Sequence, residues 1–188
     1  MKRVLLLLSG GFDSPVAGAL LKKQGFSIAA VHFSQEPYTD SEPELKARKL
    51  ASLLGFSPLE VVNISRELKR IADTCEQRFY FVLMKRLMLR KAEDVARQLG
   101  CDALATGESL GQVSSQTLDN LYAIDAAAGL PVLRPLIGLD KEEIIRRAQR
   151  LGTFEISKGK EMCDVLGPAH PSAQVRLRDV EAQEKLLA

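Results

Sequence analysis

Cysteine is scarce. The 188 residues hold three, Cys75, Cys101 and Cys163, with no Cys-x-x-Cys pair among them. An odd, widely spaced set argues against a disulfide framework or a structural zinc site and favours a reducing compartment. Long apolar runs are lacking too, and none approaches the roughly 20 residues of a membrane span. The apolar run near Met1 breaks at Ser9-Gly10-Gly11, too early for the core of a secretion signal. A soluble, cytoplasmic chain with no membrane partner is the expectation. Charge of one sign is also missing. Lys and Arg total 26 against 24 Asp and Glu, a net charge of +2, which neither demands nor excludes nucleic acid. Internal repeats, linkers and low-complexity segments are absent.

What remains is a 46% hydrophobic chain, enough for a core without staples and of a length that suits one α/β domain over 1–188. Continuous apolar runs at 4–8, 27–33, 59–64, 102–106 and 132–136 read as strands covered on both faces. Helical spacing falls between them, at 16–23, 44–54, 79–99, 114–127 and 140–151. Asp140 with Glu143 forms a capping-box pattern at the start of the last. The alternation predicts a doubly wound, mainly parallel five-stranded sheet with helices on both faces. Residues 152–188 are less regular and end in a short helix near 175–187. Such sheets bind ligands beyond the carboxyl ends of their strands, which directs attention to 9–14, 32–38, 107–116 and the loop after Leu136.

The first of these tips reads Ser9-Gly10-Gly11-Phe12-Asp13-Ser14, between a strand and a helix. Backbone N–H groups and a helix N-terminus make an anion site there. The P-loop pattern is excluded because no lysine follows the glycines. The dinucleotide fingerprint is excluded because it needs G-x-G-x-x-G and an acid after strand two, where His32-Phe33 stand. The pattern S-G-G-x-D-S fits at every position. A packing turn with Asp13 as a helix cap is the competing reading. If phosphates bind, a carboxylate beside them is repelled by several kcal/mol unless a cation intervenes, so Asp13 implies Mg²⁺ carried with the phosphates.

S-G-G-x-D-S is the signature of the PP-loop ATP pyrophosphatases. Four further stretches follow in order: "VHFSQEPYTD", "KRLMLRKAEDVA", "ATGESLGQVSSQTLDNL" and "LRPLIGLDKEEII". Together they resemble the PP-loop domain of the tRNA 4-thiouridine synthetases, a sulfurtransferase family also tied to thiamine thiazole synthesis. The resemblance implies that ATP is cleaved between its α and β phosphates, that AMP is placed on a uridine of tRNA, and that sulfur then displaces it. It assigns ATP contacts to Leu7, Leu8, Ser9, Gly10, Gly11, Asp13, Ser14, His32, Phe33, Lys85, Gly107 and Gln116. Lys141 matches a lysine linked to activity and would supply the charge that the glycine turn lacks. Cys163 matches a functional cysteine, with Lys158 and Lys160 nearby to favour its thiolate.

Blander readings stand beside these. His32 serves equally well as the end of strand two, Lys85 and Arg86 as a solvated helix face, Gln116 as a packing amide, and Lys141 as a surface lysine. Cys75 lacks motif support and Cys101 opens a strand. Where some relatives carry a cysteine pair linked to iron–sulfur chemistry, Phe81 to Met84 stand here. The N-terminal THUMP region and the C-terminal rhodanese domain of the family have no counterpart in the sequence. The resemblance thus implies RNA binding through a separate chain or a homodimer surface, and a persulfide or sulfide donor such as a cysteine desulfurase. Lys85, Arg86, Arg90, Lys91, Arg97, Arg146, Arg147 and Arg150 offer a surface for RNA phosphates, but they are interleaved with Glu93, Asp94, Glu142 and Glu143, and such mixed faces are usually only solvated. A stand-alone adenylating sulfurtransferase or ligase for a small molecule or a sulfur-carrier protein is the second expectation. A nucleotide-binding subunit without activity is the third.

Overall fold

The computed structural model describes residues 2–159 and 165–187. Five strands form one sheet: β1 (Arg3–Leu7), β2 (Ser27–Ser34), β3 (Leu59–Asn63), β4 (Ala103–Ala105) and β5 (Val132–Leu133). Their order is β3-β2-β1-β4-β5 and every pairing is parallel. The eight helices of the described residues are α1 (Asp13–Lys23), α2 (Glu42–Leu54), α3 (Ser65–Thr74), α4 (Tyr80–Gln98), α5 (Leu118–Asp125), α6 (Lys141–Arg150), α7 (Phe154–Ser157) and α8 (Leu177–Lys185). None is long and apolar enough to cross a membrane.

The strand period of two divides the core. Leu5 of β1, Ala29, Val31 and Phe33 of β2 and Leu104 of β4 pack with α3, α4, α5 and α8. Val4, Leu6, Ile28, Ala30, Ala103 and Ala105 pack with α1, α2 and α6 on the other face. Both faces are therefore apolar, which explains why these strands read as unbroken hydrophobic runs. Each fully buried Leu here contributes roughly 1.5–3 kcal/mol, and Leu5, Leu6, Leu8, Leu50, Leu68 and Leu104 are among them.

Several expectations are corrected in detail. The predicted helix over 114–127 divides into a 3₁₀ turn at Ser114–Gln116 and α5, which Thr117 caps by accepting from the Asn120 N–H at 3.3 Å. β5 has two residues instead of five. Asp140 caps α6, accepting from the Glu143 N–H at 2.7 Å, whereas the Glu143 side chain accepts from Arg147 instead of returning to the cap. The short helices α3 and α7 were not foreseen.

Candidate active site

β1 and α1 are joined by the glycine turn. The Ser9 N–H donates to Ser14 Oγ at 2.9 Å, the two hydroxyls lie 3.1 Å apart, and the Gly11 N–H donates to Ser9 Oγ at 3.3 Å. The two serines thus cinch the loop shut. A Cβ at Gly10 would lie 3.1 Å from Lys46 Cβ and 3.2 Å from the Pro43 carbonyl, so the glycine lets α2 close in. From the opposite side, Ser157 Oγ donates to the Gly11 carbonyl at 3.1 Å.

Asp13 is not the cap of α1. The cap position falls on Phe12, whose side chain makes no capping bond. The Asp13 carboxylate instead accepts from Lys141 Nζ at 3.0 and 3.3 Å. Lys141 is the first residue of α6, and its ammonium also stands 5.9 Å from the centre of the Phe12 ring. The capped start of α6 therefore delivers a cation to the first turn of α1. The packing-turn reading of Asp13 loses its main support.

β4 reaches the same place through Gly107. A Cβ there would fall 2.5 Å from the Ser14 backbone nitrogen and 2.7 Å from the Asp13 carbonyl carbon. No side chain fits, so the end of β4 and the first turn of α1 touch backbone to backbone.

His32 lies at the end of β2, 4% exposed. Its Nδ1 is 3.0 Å from the Leu8 carbonyl oxygen, which can only accept, so Nδ1 carries the hydrogen. Burial holds the imidazole pKa below its usual value, against the opposing pull of that carbonyl. The ring is neutral at pH 7 and Nε2 is left as an acceptor. Among the described residues that atom is buried without a partner, as are Gln112 Nε2 and Gln116 Oε1. Buried polar atoms rarely remain unpaired, and these three line one cleft.

The cleft measures about 420 Å³, within the range of small-molecule sites. It lies over the carboxyl ends of β1, β2 and β4, the location expected of an open parallel sheet. Leu7, Leu8, Ser9, Gly10, Gly11, Asp13, Ser14, His32, Phe33, Lys85, Gly107, Gln116 and Lys141 all line it. Cys163 lies outside the described residues. A second hollow of about 200 Å³, beside Arg78 and Arg176, contains none of the expected residues.

Lys85, on α4, reaches the cleft and donates to Glu108 Oε1 at 2.5 Å. It is not part of a solvated basic face. Arg86 beside it is 2% exposed and pairs with Glu184 of α8 at 2.8 Å. Lys91 pairs with Glu67 at 2.7 Å, Arg90 shares Glu184, and Arg97 pairs with Glu93. The cations of α4 are thus matched by acids on a mixed face where Arg90 and Arg97 stay exposed, and Arg86 is buried away from it. Glu108, Gln112, Arg134 and Ser157 are cleft or near-cleft groups that sequence reasoning missed. Glu108 and Gln112 lay inside a stretch already singled out, and Arg134 inside another.

The family model for thiamine biosynthesis protein (ThiI) matches residues 1–188. Proteins described as probable tRNA sulfurtransferases are similar over nearly the whole chain. That of Caldanaerobacter subterraneus subsp. tengcongensis is 42% identical over 98% of this chain and 50% of its own length. That of Thermus thermophilus is 44% identical over 98% and 47%. The chain spans about half the length of these curated relatives. A crystal structure of a 4-thiouridine synthetase–RNA complex with bound ATP superposes with a TM-score of 0.93 at 36% identity, covering 98% of this chain and 50% of that one. NMN synthetase from Francisella tularensis, at 14% identity and a TM-score of 0.66 over 98% of this chain and 77% of that one, shares the fold alone. The match across all 188 residues, with the glycine turn and its cleft in place, makes the chain a member of the ThiI family.

Proposed function

We propose that this chain binds ATP in the cleft, adenylates a uridine of tRNA and directs sulfur to the activated carbon, giving 4-thiouridine. Residues 1–188 act as one nucleotide-binding unit in this reading. The observation that carries it is the Asp13–Lys141 pair, 3.0 Å across, at the N-terminus of α1 inside a cleft with three orphaned buried polar atoms.

In the first step uridine O4 bonds to the α-phosphorus, the α–β anhydride breaks and pyrophosphate departs. In the second, sulfide or the terminal sulfur of a persulfide bonds to C4 and AMP leaves; after a persulfide attack, a second thiolate bonds to the inner sulfur, the S–S bond to the substrate breaks, and 4-thiouridine departs as a disulfide forms between the two thiols. The chain's own groups divide the first step among them. The N–H groups of the glycine turn and the start of α1 face the phosphates. Lys141 and Lys85 offset the charge that builds on the leaving oxygens. His32, with its hydrogen fixed on Nδ1, offers Nε2 to a donor of the nucleotide, and Gln116 offers Oε1. Leu8 and Phe33 wall the cleft against water.

Asp13 is one carboxylate, and among the described residues no group of three His, Cys, Asp or Glu is placed to hold a metal. Magnesium commonly takes one or two carboxylates and completes its shell with phosphates and water. The donor set therefore fits an ion that arrives with the nucleotide, held by Asp13, where it would neutralise the departing pyrophosphate. Sulfur comes from a persulfide or sulfide donor.

The test is pyrophosphate release from Mg-ATP with unmodified tRNA. AMP and pyrophosphate are the expected products, and Asp13→Asn is expected to lower the rate at least 100-fold with an unchanged melting temperature. ADP and inorganic phosphate, or an active Asp13→Asn variant, would overturn the proposal. Release driven by a small acceptor or a carrier protein, and not by tRNA, would replace the substrate.

A further inference from the structure

We propose that Glu108 is a positioning residue that fixes the Lys85 ammonium in the cleft, and that Arg134 and Asp125 in turn fix Glu108. This rests on the ATP reading above and goes beyond it, since it assigns work to three residues outside the family motif's ATP contacts.

The geometry is a relay across four segments. Lys85 of α4 donates to Glu108 Oε1 at 2.5 Å. Thr106 Oγ1 and Arg134 Nε donate to Glu108 Oε2 at 3.0 and 2.9 Å. Arg134, beyond β5, then grips both oxygens of Asp125 at the end of α5, at 2.9 and 2.5 Å. The Glu108 side chain is 9% exposed, that of Arg134 10% and that of Lys85 21%. Burial alone would push the Glu108 carboxyl up, yet Lys85 and Arg134 hold it below the usual carboxylate range. It stays ionised and acts as an acceptor for all three donors.

Stability does not account for this arrangement. Buried ion pairs roughly break even against apolar side chains of similar volume. What the relay supplies is place. A lysine ammonium on a flexible four-carbon stem loses rotamer entropy when fixed. Here that loss is met on folding, before any ligand arrives. Glu108 follows Gly107, which abuts the first turn of α1, so the fixed ammonium faces the same cleft as Asp13 and Lys141. A carboxylate near phosphates would by itself repel them, but with Lys85 and Arg134 both on it the local charge is not negative. A lysine held by a glutamate against nucleotide phosphates is the arrangement protein kinases use.

The test is a double-mutant cycle read by calorimetric titration of the full chain with Mg-α,β-methylene-ATP, an analogue that cannot break at the inner anhydride. Lys85→Met is expected to weaken binding about 10-fold and Glu108→Gln about 5-fold. Lys85→Met with Glu108→Gln is expected to be no weaker than Lys85→Met alone. Lys85→Arg should restore affinity with Glu108 present and fail to do so with Glu108→Gln. Wild-type affinity in Glu108→Gln, or two losses that multiply, would overturn the inference while leaving nucleotide binding intact. A wild-type chain that binds no nucleotide would overturn the ATP reading, and this inference with it. Should Glu108→Gln fail to fold, Asp125→Asn at the outer end of the relay replaces it. A 2- to 3-fold loss is then expected, and no change overturns the relay.

Discussion

Gly107 has no space for a side chain. A Cβ would meet the Ser14 nitrogen and the Asp13 carbonyl carbon at 2.5 and 2.7 Å, and both are backbone atoms that move only if the start of α1 moves. Gly107→Ala is expected to cost about 2 kcal/mol, within the usual range for overpacking, and to weaken nucleotide binding at least 10-fold by shifting the turn. Gly138→Ala, at a position with open space around it, should change stability by less than about 0.5 kcal/mol. Paired urea titrations and nucleotide titrations check both. At this scale the sequence was legible where the site is contiguous. The run from Ser9 to Ser14 announced an anion site because every residue of it lies in one turn. Glu108, Arg134 and Asp125 were not legible, because the relay joins residues from four separate segments and no local spacing records it. Gly107 was expected at the nucleotide, and the structure gives it a packing reason as well.

The C-terminal helix α8 shows what one ion pair does for an element. Val180 is its one buried apolar residue, so apolar burial alone holds it weakly. Glu184 fixes it instead, accepting from Arg86 and Arg90 of α4 at 2.7–2.8 Å. Burial would raise its pKa, but the two guanidiniums bring it down to about 2. A folded-state pKa below the unfolded value stabilises the fold above the unfolded pKa, near 4.5, and that contribution disappears as pH falls through about 2. Glu184→Gln is therefore expected to lower stability by about 2 kcal/mol at pH 7, since it leaves the buried Arg86 without its counter-ion. The difference from wild type should close as the pH of the melting experiment is lowered from 5 toward 2. A constant difference would mean that the amide disturbs packing instead of charge. Element-scale legibility follows the same division between apolar and polar support. β1, β2 and β4 were read to within a residue or so because both of their faces are buried. α3 was missed although Leu68, Ile71 and Ala72 recur at helical spacing on one apolar face; that signal lay in the sequence. α5 was read too long because Thr117 was not recognised as its cap.

Across the whole molecule, the cleft and the described thiols lie apart. The cleft gathers the carboxyl ends of three strands. Cys101 sits before β4, at the amino end of the sheet, and Cys75 follows α3, donating to the Gln183 carbonyl of α8 at 3.6 Å. Both are buried, and burial pushes both thiols above their ordinary pKa. They are thus protonated at neutral pH and poor nucleophiles. We propose Cys163 for the sulfur chemistry, on the family resemblance, and the described residues Ser157 and Gly167 meet the cleft walls. Ser157 holds the Gly11 carbonyl, and Gly167 lies against the ring of Phe81, a cleft residue. If adenylation and sulfur delivery are separable duties of one cleft, the variants should divide accordingly. Cys163→Ser is expected to release pyrophosphate with tRNA at close to the wild-type rate while forming at most a tenth of the thiolated nucleoside, scored by mass spectrometry of digested tRNA. Cys75→Ser and Cys101→Ser should leave both yields unchanged. Full thiolation by Cys163→Ser would move the sulfur nucleophile off this chain and onto the donor, because no other cysteine reaches the cleft among the described residues.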